Sequence, residues 1–330
     1  MSAPVQSRTV EADEAGMRLD RWFKAHFPGL GFGQLQRLLR TGQVRVDGGR
    51  VRTDTRLAKG QSVRIPPFLA GDNGARPAPL TAGTIRDRHD ADVLDAMLLH
   101  EDDKVFVFNK PAGLAVQGGS GVSRHVDQML EALRNRKGEK PRLVHRIDRD
   151  TSGILVVART RGAAVALTKA FRERDTEKVY WAVCRGVPSP RQGRISTHLV
   201  REKTPDGDRM RVARHGEPEA EHAESLYRVI DSAGQNLSWV ELRPVTGRTH
   251  QLRVHMAHLG HPIIGDPKYF DVENWQLPGG IQKRLHLHAR RIRIPHPDGG
   301  MLDVAAPLPP HMTQTFNLLG FDESSGEEAP

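Results

Sequence analysis

Between Pro66 and Asp90 the chain sets Pro66, Pro67, Pro77 and Pro79 among Gly71, Gly74 and Gly83. Proline fixes φ and removes a backbone donor, and glycine costs more entropy to order than any other residue. Neither a helix nor a sheet runs well through such a stretch, so an extended linker is expected. It divides the 330 residues into a short N-terminal body and a long C-terminal one. Two domains suit that length, and the longer body can bury a core without covalent staples. Cys184 is the single cysteine, which excludes an internal disulfide and zinc sites built on several thiolates. Residues 1–16 hold no apolar core of signal-peptide length, and the longest aliphatic run spans only residues 154–158. A cytoplasmic protein that does not engage membrane is therefore expected.

Charge separates the two bodies. Residues 17–65 carry eleven Lys and Arg against three Asp, so +8 of the chain's net +9 lies in that segment. Leu19, Trp22, Phe23 and Phe27 recur at helical spacing, and Leu35, Leu38 and Leu39 do so again after the break at residues 28–33. Residues 43–48 and 62–65 read as short strands. Two helices feeding small strands, with arginines on the solvent side, make a compact basic module. Such a charge run is also consistent with a solvated face that binds nothing. The last ten residues reverse the sign, with Asp322, Glu323, Glu327 and Glu328, and have a disordered composition.

The run Arg18-Leu-Asp-Arg21, followed by residues 35–48 (LQRLLRTGQVRVDG), resembles the S4 RNA-binding domain. That resemblance implies an RNA surface built from Arg18, Arg21, Arg37, Arg40 and Arg45. Such a surface neutralises phosphates and positions a protein without choosing a base.

In the longer body, buried strands are expected at residues 104–109 and 153–158, with further strands at 178–184 and 237–242. Helices are expected at 123–136, 163–173 and 250–259. The irregular alternation points to an α+β fold with a mixed, largely antiparallel sheet. No P-loop is present, and Ser120 lacks the spacing of a nucleophile elbow. His250, His255, His258 and His261 are spaced so that a helix spreads them over more than one face, and no HExxH pattern accompanies them, so no metal site is expected.

What remains is the stretch 145–153, HRIDRDTSG. An acid between Arg146 and Arg149 would be held as a carboxylate. By itself the stretch fits equally well a turn in which Asp148 caps the backbone. It is followed by Lys178-Val-Tyr180, by residues 245–255 (VTGRTHQLRVH) and by residues 260–269 (GHPIIGDPKY). This ordered set resembles the RluA family of RNA pseudouridine synthases over residues 93–308. Residues 109–120 are most similar to the branch acting on large-subunit ribosomal RNA. Gln117 departs from an expected His, and Ile147 stands in place of a usual Leu.

The resemblance implies isomerisation of uridines to pseudouridine in 23S ribosomal RNA, after the base is flipped from its stack. Asp148 would be the catalytic aspartate, Tyr180 the tyrosine stacked on the target base, and Arg253 the partner of that aspartate. Arg146 would fill the space left by the uridine, and Leu287 would contact the base. The reaction is a net isomerisation, so no cofactor is expected, and a monomer without an obligate protein partner is the default. Two other readings stay open: a pseudouridine synthase acting on tRNA, or an RNA-binding ribosome-assembly factor on an inactive scaffold. The expected divisions are an N-terminal extension at 1–16, the S4 domain at 17–66, the linker at 67–91, the catalytic domain at 92–316 and a disordered acidic tail at 317–330.

Overall fold

The computed structural model describes residues 6–27, 30–66, 85–119, 122, 124–135, 138–173, 175–204, 208–270 and 275–327. The expected linker from 67 to 84 lies outside them, as do Gly29, Ser120, Ser123, Arg136 and Glu328. The chain divides into two compact units, Met1–Arg86 and Asp87–Pro330.

The smaller unit holds strand β1 (Gln6–Thr9), helices α1 (Leu19–His26) and α2 (Phe32–Arg40), and strands β2 (Arg45–Val46) and β3 (Ser62–Ile65). Apolar side chains three and four apart put Leu19, Trp22 and Phe23 on one stripe of α1, and Leu35, Leu38 and Leu39 on one stripe of α2. The two stripes close into a single core with Val63 and Ile65 of β3. The three strands form an antiparallel sheet in the order β1-β3-β2. Residues 6–16 are thus no free extension. Gln6 to Thr9 pair with Ile65 to Ser62, Val10 is buried, and Glu14 accepts a hydrogen bond from the Trp22 indole N–H at 2.9 Å. β1 is exposed along its whole length, so it shows no alternation by which a sequence could betray it.

The larger unit begins with helix α3 (Ile85–Ala96), then strands β4 (Leu98–Glu101) and β5 (Val105–Lys110), helix α4 (Val126–Met129) and strands β6 (Arg142–Leu143) and β7 (Ser152–Ala158). Helix α5 (Arg161–Glu173) leads to strands β8 (Glu177–Arg185), β9 (Gln192–Glu202), β10 (Arg209–Val212), β11 (Glu221–Ala233) and β12 (Leu237–Pro244). Helix α6 (Gln251–His258), strands β13 (Leu287–Pro295) and β14 (Met301–Ala305) and helix α7 (Pro310–Leu319) complete it. The strands make one sheet in the order β10-β9-β11-β12-β8-β13-β7-β5-β4, with β14 added to β13 and β6 to β7. Among the described residues, β13 with β7 is the one parallel pairing in a mixed, largely antiparallel sheet. The fold of this unit is α+β.

That parallel contact is tight. Gly153 has φ +104°, and a Cβ there would meet the Ala289 carbonyl oxygen at 2.3 Å, so only glycine fits. β7 is buried from end to end because both of its faces are covered. Ile154, Val156 and Ala158 pack with Ala163 and Leu167 of α5. Leu155 and Val157 pack with Leu94, Met129 and Leu130 on the other side.

Three expectations need correction. Residues 85–91, assigned to the linker, lie in α3, which delivers Leu94 to the core. Its sequence IRDRHDADVLDA has too few apolar positions to show a stripe. The helix expected over 123–136 is only the single turn of α4 followed by a 3-10 turn, Leu130–Leu133. Val126 and Asp127 donate their N–H groups to Ala115 and Val116, and the chain turns again at Asn135, so both ends are drawn away from a longer helix. The acidic tail is docked as far as Glu327. Phe321 is buried against Trp239 and Phe316, Gly326 abuts Trp181 and Trp239, and Glu327 pairs with Arg290. A single aromatic anchor among acids is outweighed in composition but not in burial.

Candidate active site

The loop from His145 to Asp150 enters β7 and is clamped from two sides. The Val156 N–H donates to His145 Nε2 at 2.8 Å, and the imidazole stacks on Phe171 of α5 at 4.5 Å. Burial, helped by the Lys178 charge, pushes its pKa down to about 3, so the ring is neutral and Nε2 is free to accept. On the other side, Lys110 at the end of β5 is fully buried. Its ammonium donates to the carbonyls of Pro111, Leu114 and Arg149 at 2.8, 2.9 and 3.0 Å. Burial lowers its pKa to about 7, although the charges of Asp150 and Asp148 act to raise it. Between these anchors Ile147 turns into the core, where the change from Leu is absorbed as packing, and Arg146 turns outward. Asp148 is left with its carboxylate 18% exposed at a cavity of about 500 Å³.

Tyr180 reaches the same cavity from β8, where it pairs with Leu242 of β12 and Ala289 of β13. Its half-buried ring packs against three of the apolar clusters. Burial, and then the Asp148 charge, push the phenol's pKa well above its ordinary value. It is a protonated hydroxyl on a flat apolar ring at neutral pH, suited to stacking and to donating a hydrogen bond.

Arg253 projects from α6 and is 3% exposed. Sequence reasoning pairs it with Asp148, but its two-pronged partner is Asp266. Nε and Nη2 donate to the two Asp266 oxygens at 2.7 Å each, while Nη1 reaches Asp148 Oδ2 at 3.4 Å. Asp266 is itself 1% exposed and also accepts from the backbone N–H groups of Lys268 and Tyr269. Burial would lower the Arg253 pKa, but the hydrogen bonds and charge of Asp266, with that of Asp148, raise it. The guanidinium is a permanent cation fixed by one carboxylate and offered to another.

His250 also faces this carboxylate, with Nε2 3.9 Å from Asp148 Oδ2. Neither His250 nor Asp266 takes a role from the sequence alone. His250 figures there only as a possible metal ligand, and Asp266 lies in a motif with no function attached. The signal for Asp266 is its place in Gly-Asp-Pro beside a buried cation that needs a counter-ion.

Leu287 lines the cavity although it is only 3% exposed and belongs equally to the core. Arg146 lines it from the exposed side, with Arg172, Lys178 and Arg248 nearby. Arg248 is tied to Glu221 at 2.8 Å. Two other histidines of the α6 region go elsewhere: His255 bonds to Thr197 and Ser225, and His261 to the Arg185 carbonyl. Among the described residues no group of three or more His, Cys, Asp or Glu is placed to hold a metal ion. Gln117 is exposed on the loop after β5.

In the smaller unit, Arg18, Arg37 and Arg40 line an open concavity with Arg50 and Arg52. Arg18 is partly engaged by Asp20 at 2.6 Å. Arg21, Arg37 and Arg40 are exposed. Arg45 is turned inward and donates to the Gly42 and Gly48 carbonyls at 3.2 and 3.0 Å, bracing the turn after α2.

The arrangement of Asp148, Tyr180 and Arg253 around one cavity lies within the segment matched by the family described as RNA pseudouridylate synthase, residues 104–258. The chain belongs to this family and is a pseudouridine synthase. Among curated relatives it is 37% identical to the ribosomal large subunit pseudouridine synthase C of Pasteurella multocida (strain Pm70), over 97% of this chain and 96% of that protein. It is 38% identical to the protein of the same description from Haemophilus ducreyi, over 94% and 95%. Among solved structures, Human RNA Pseudouridylate Synthase Domain Containing 4 matches with a TM-score of 0.60 and 30% identity, covering 71% of this chain and 97% of that one.

Proposed function

We propose that this synthase converts specific uridines of 23S ribosomal RNA to pseudouridine, with Asp148 as the catalytic carboxylate acting on a uridine turned out of its stack. The N1–C1′ bond breaks and a C5–C1′ bond forms. A proton leaves C5 and one is taken up at N1, so nothing is oxidised or hydrolysed. A carboxylate acting on sugar or base must be ionised and fixed. The observation that carries this reading is the placement of Asp148 beside a buried Arg253 that Asp266 holds rigid. The Tyr180 ring supports it by supplying a stacking surface at the same cavity. Extrusion is required because the bond is unreachable inside a stack, and unstacking costs a few kcal/mol. Arg146, at the exposed side, fills the vacated space, and Leu287 meets the base. The choice of large-subunit RNA rests on the descriptions of relatives aligned over nearly the whole chain. The smaller unit acts as an S4 domain, binding RNA phosphates through Arg18, Arg21, Arg37 and Arg40.

The test is Asp148→Asn, assayed for pseudouridine in 23S RNA and for RNA binding. The variant binds RNA as the wild type does and forms no product. Product at the wild-type rate would remove Asp148 from the chemistry.

A further inference from the structure

His250 is one of the few non-glycine residues with positive φ, at φ 53° and ψ 17° directly before α6. A histidine held in the left-handed region costs energy unless its surroundings enforce it, and such residues gather at functional sites. What its ring meets is specific. Nδ1 lies 2.7 Å from the Tyr269 hydroxyl, and that hydroxyl accepts the backbone N–H of Met210 in β10 at 2.9 Å. With a lone pair of the phenol oxygen used by Met210, the hydroxyl proton has His250 Nδ1 as its acceptor. The ring proton then resides on Nε2, the nitrogen facing Asp148 Oδ2 at 3.9 Å. The opposite tautomer would leave the hydroxyl without an acceptor and turn a lone pair toward a carboxylate.

Both His250 and Arg253 approach the same oxygen, Oδ2. The contacts that hold the carboxylate thus fall on Oδ2, and the side chain lines the cavity. We propose that His250 is a positioning residue for Asp148: its Nε2–H, in the tautomer set by Tyr269, restrains Oδ2 with Arg253 and presents Oδ1 to the target nucleoside. This rests on Asp148 being the catalytic carboxylate. The 3.9 Å separation is beyond a hydrogen bond, and contacts of this kind shorten when substrate closes the site. The charged and titratable groups facing the ring are Asp148 from the loop before β7, Arg253 from α6, and Asp266, Lys268 and Tyr269 from the segment after α6. Burial lowers the imidazole's pKa against the opposing charge of Asp148, with Arg253 and Lys268 lowering it further and Asp266 raising it, and the net direction suits a neutral donor.

The experiment uses the full chain on 23S RNA, measuring kcat and KM against pH for His250→Asn and Tyr269→Phe. Asparagine tolerates left-handed backbone, so the first variant removes the ring and keeps the turn. It lowers kcat about tenfold, because a reacting carboxylate held less well loses part of the gain from orientation, and leaves KM within about twofold. Its acid limb of kcat moves to higher pH, because the carboxylate has lost a donor that favours its charged form. Tyr269→Phe releases the tautomer and shifts both quantities the same way by a smaller amount. Wild-type kcat and acid limb in both variants would overturn the proposal. So would a loss of kcat with the acid limb unmoved in both, since that marks a structural role alone. Asp148→Asn run in parallel separates the layers. Product from that variant sinks the reading of Asp148 and this proposal together, whereas no product there beside an unchanged His250→Asn sinks only the proposal.

Discussion

The arginines of the small unit and the arginine of the cavity do opposite kinds of work with the same side chain. Arg21, Arg37 and Arg40 stand in solvent, where charge acts through number, is screened by salt and adds little to folding. Arg253 is buried with Asp266, where charge acts through geometry and removing one partner strands the other. Surface charge brings a polyanion near; buried charge holds one carboxylate still. The net charge of a sequence counts both kinds alike.

The sharpest way to break that contrast is Arg253→Met. It leaves Asp266 buried without its cation and is expected to cost about 3–5 kcal/mol of stability, read by urea denaturation, along with all measurable turnover. Adding Asp266→Leu restores much of the stability but none of the activity, because a buried pair replaced by apolar groups is often neutral. A single variant as stable as the wild type would show that the pair is not desolvated in solution.

Acid separates the units next. Burial lowers the pKa of His255, His286 and His288 to about 4 and of His145 to about 3, and all four lie in the larger unit. Their folded values lie below the unfolded value near 6.5, so the unfolded chain binds more protons between the two. Stability is fully present above about pH 6.5 and is lost as pH falls toward 4, at about 1.4 kcal/mol per pH unit for each histidine. Denaturation followed against pH should therefore show the larger unit weakening first in this window. A flat stability across that acid window would contradict the burial of these rings.

The smallest effect on stability is expected from Arg37→Ala with Arg40→Ala, within about 0.5 kcal/mol. The same change weakens RNA binding and lowers the salt slope by about one for each phosphate no longer neutralised. An unchanged slope would mean that these arginines are only a solvated face.

The candidate residues Asp148, Tyr180 and Arg253, which meet at one cavity, stand out in the sequence because they sit in short motifs, and the strands bearing Tyr180 and preceded by Asp148 announce themselves by apolar runs. The partners were harder to see. Asp266 meets Arg253 from thirteen residues further along the chain, and nothing local says which carboxylate takes the fork of the guanidinium. His250 looks like one histidine among several until Tyr269 is seen beside it. β1, α3 and the docked tail escaped for another reason. Each joins its unit by backbone pairing or by one or two buried side chains, a signal too sparse for periodicity to register.

The place of β13 has a consequence for the order in which the enzyme comes into being. It lies between β7 and β8, yet it is made more than a hundred residues after either. Until it arrives, the sheet is two fragments, one following Asp148 and the other carrying Tyr180, with no strand to join them. Closing a connection between residues so distant along the chain is slow and late. A nascent chain that has emerged only as far as α6 owns every residue of the proposed catalytic trio and cannot use them, so the ribosome must nearly finish this protein before it can modify RNA.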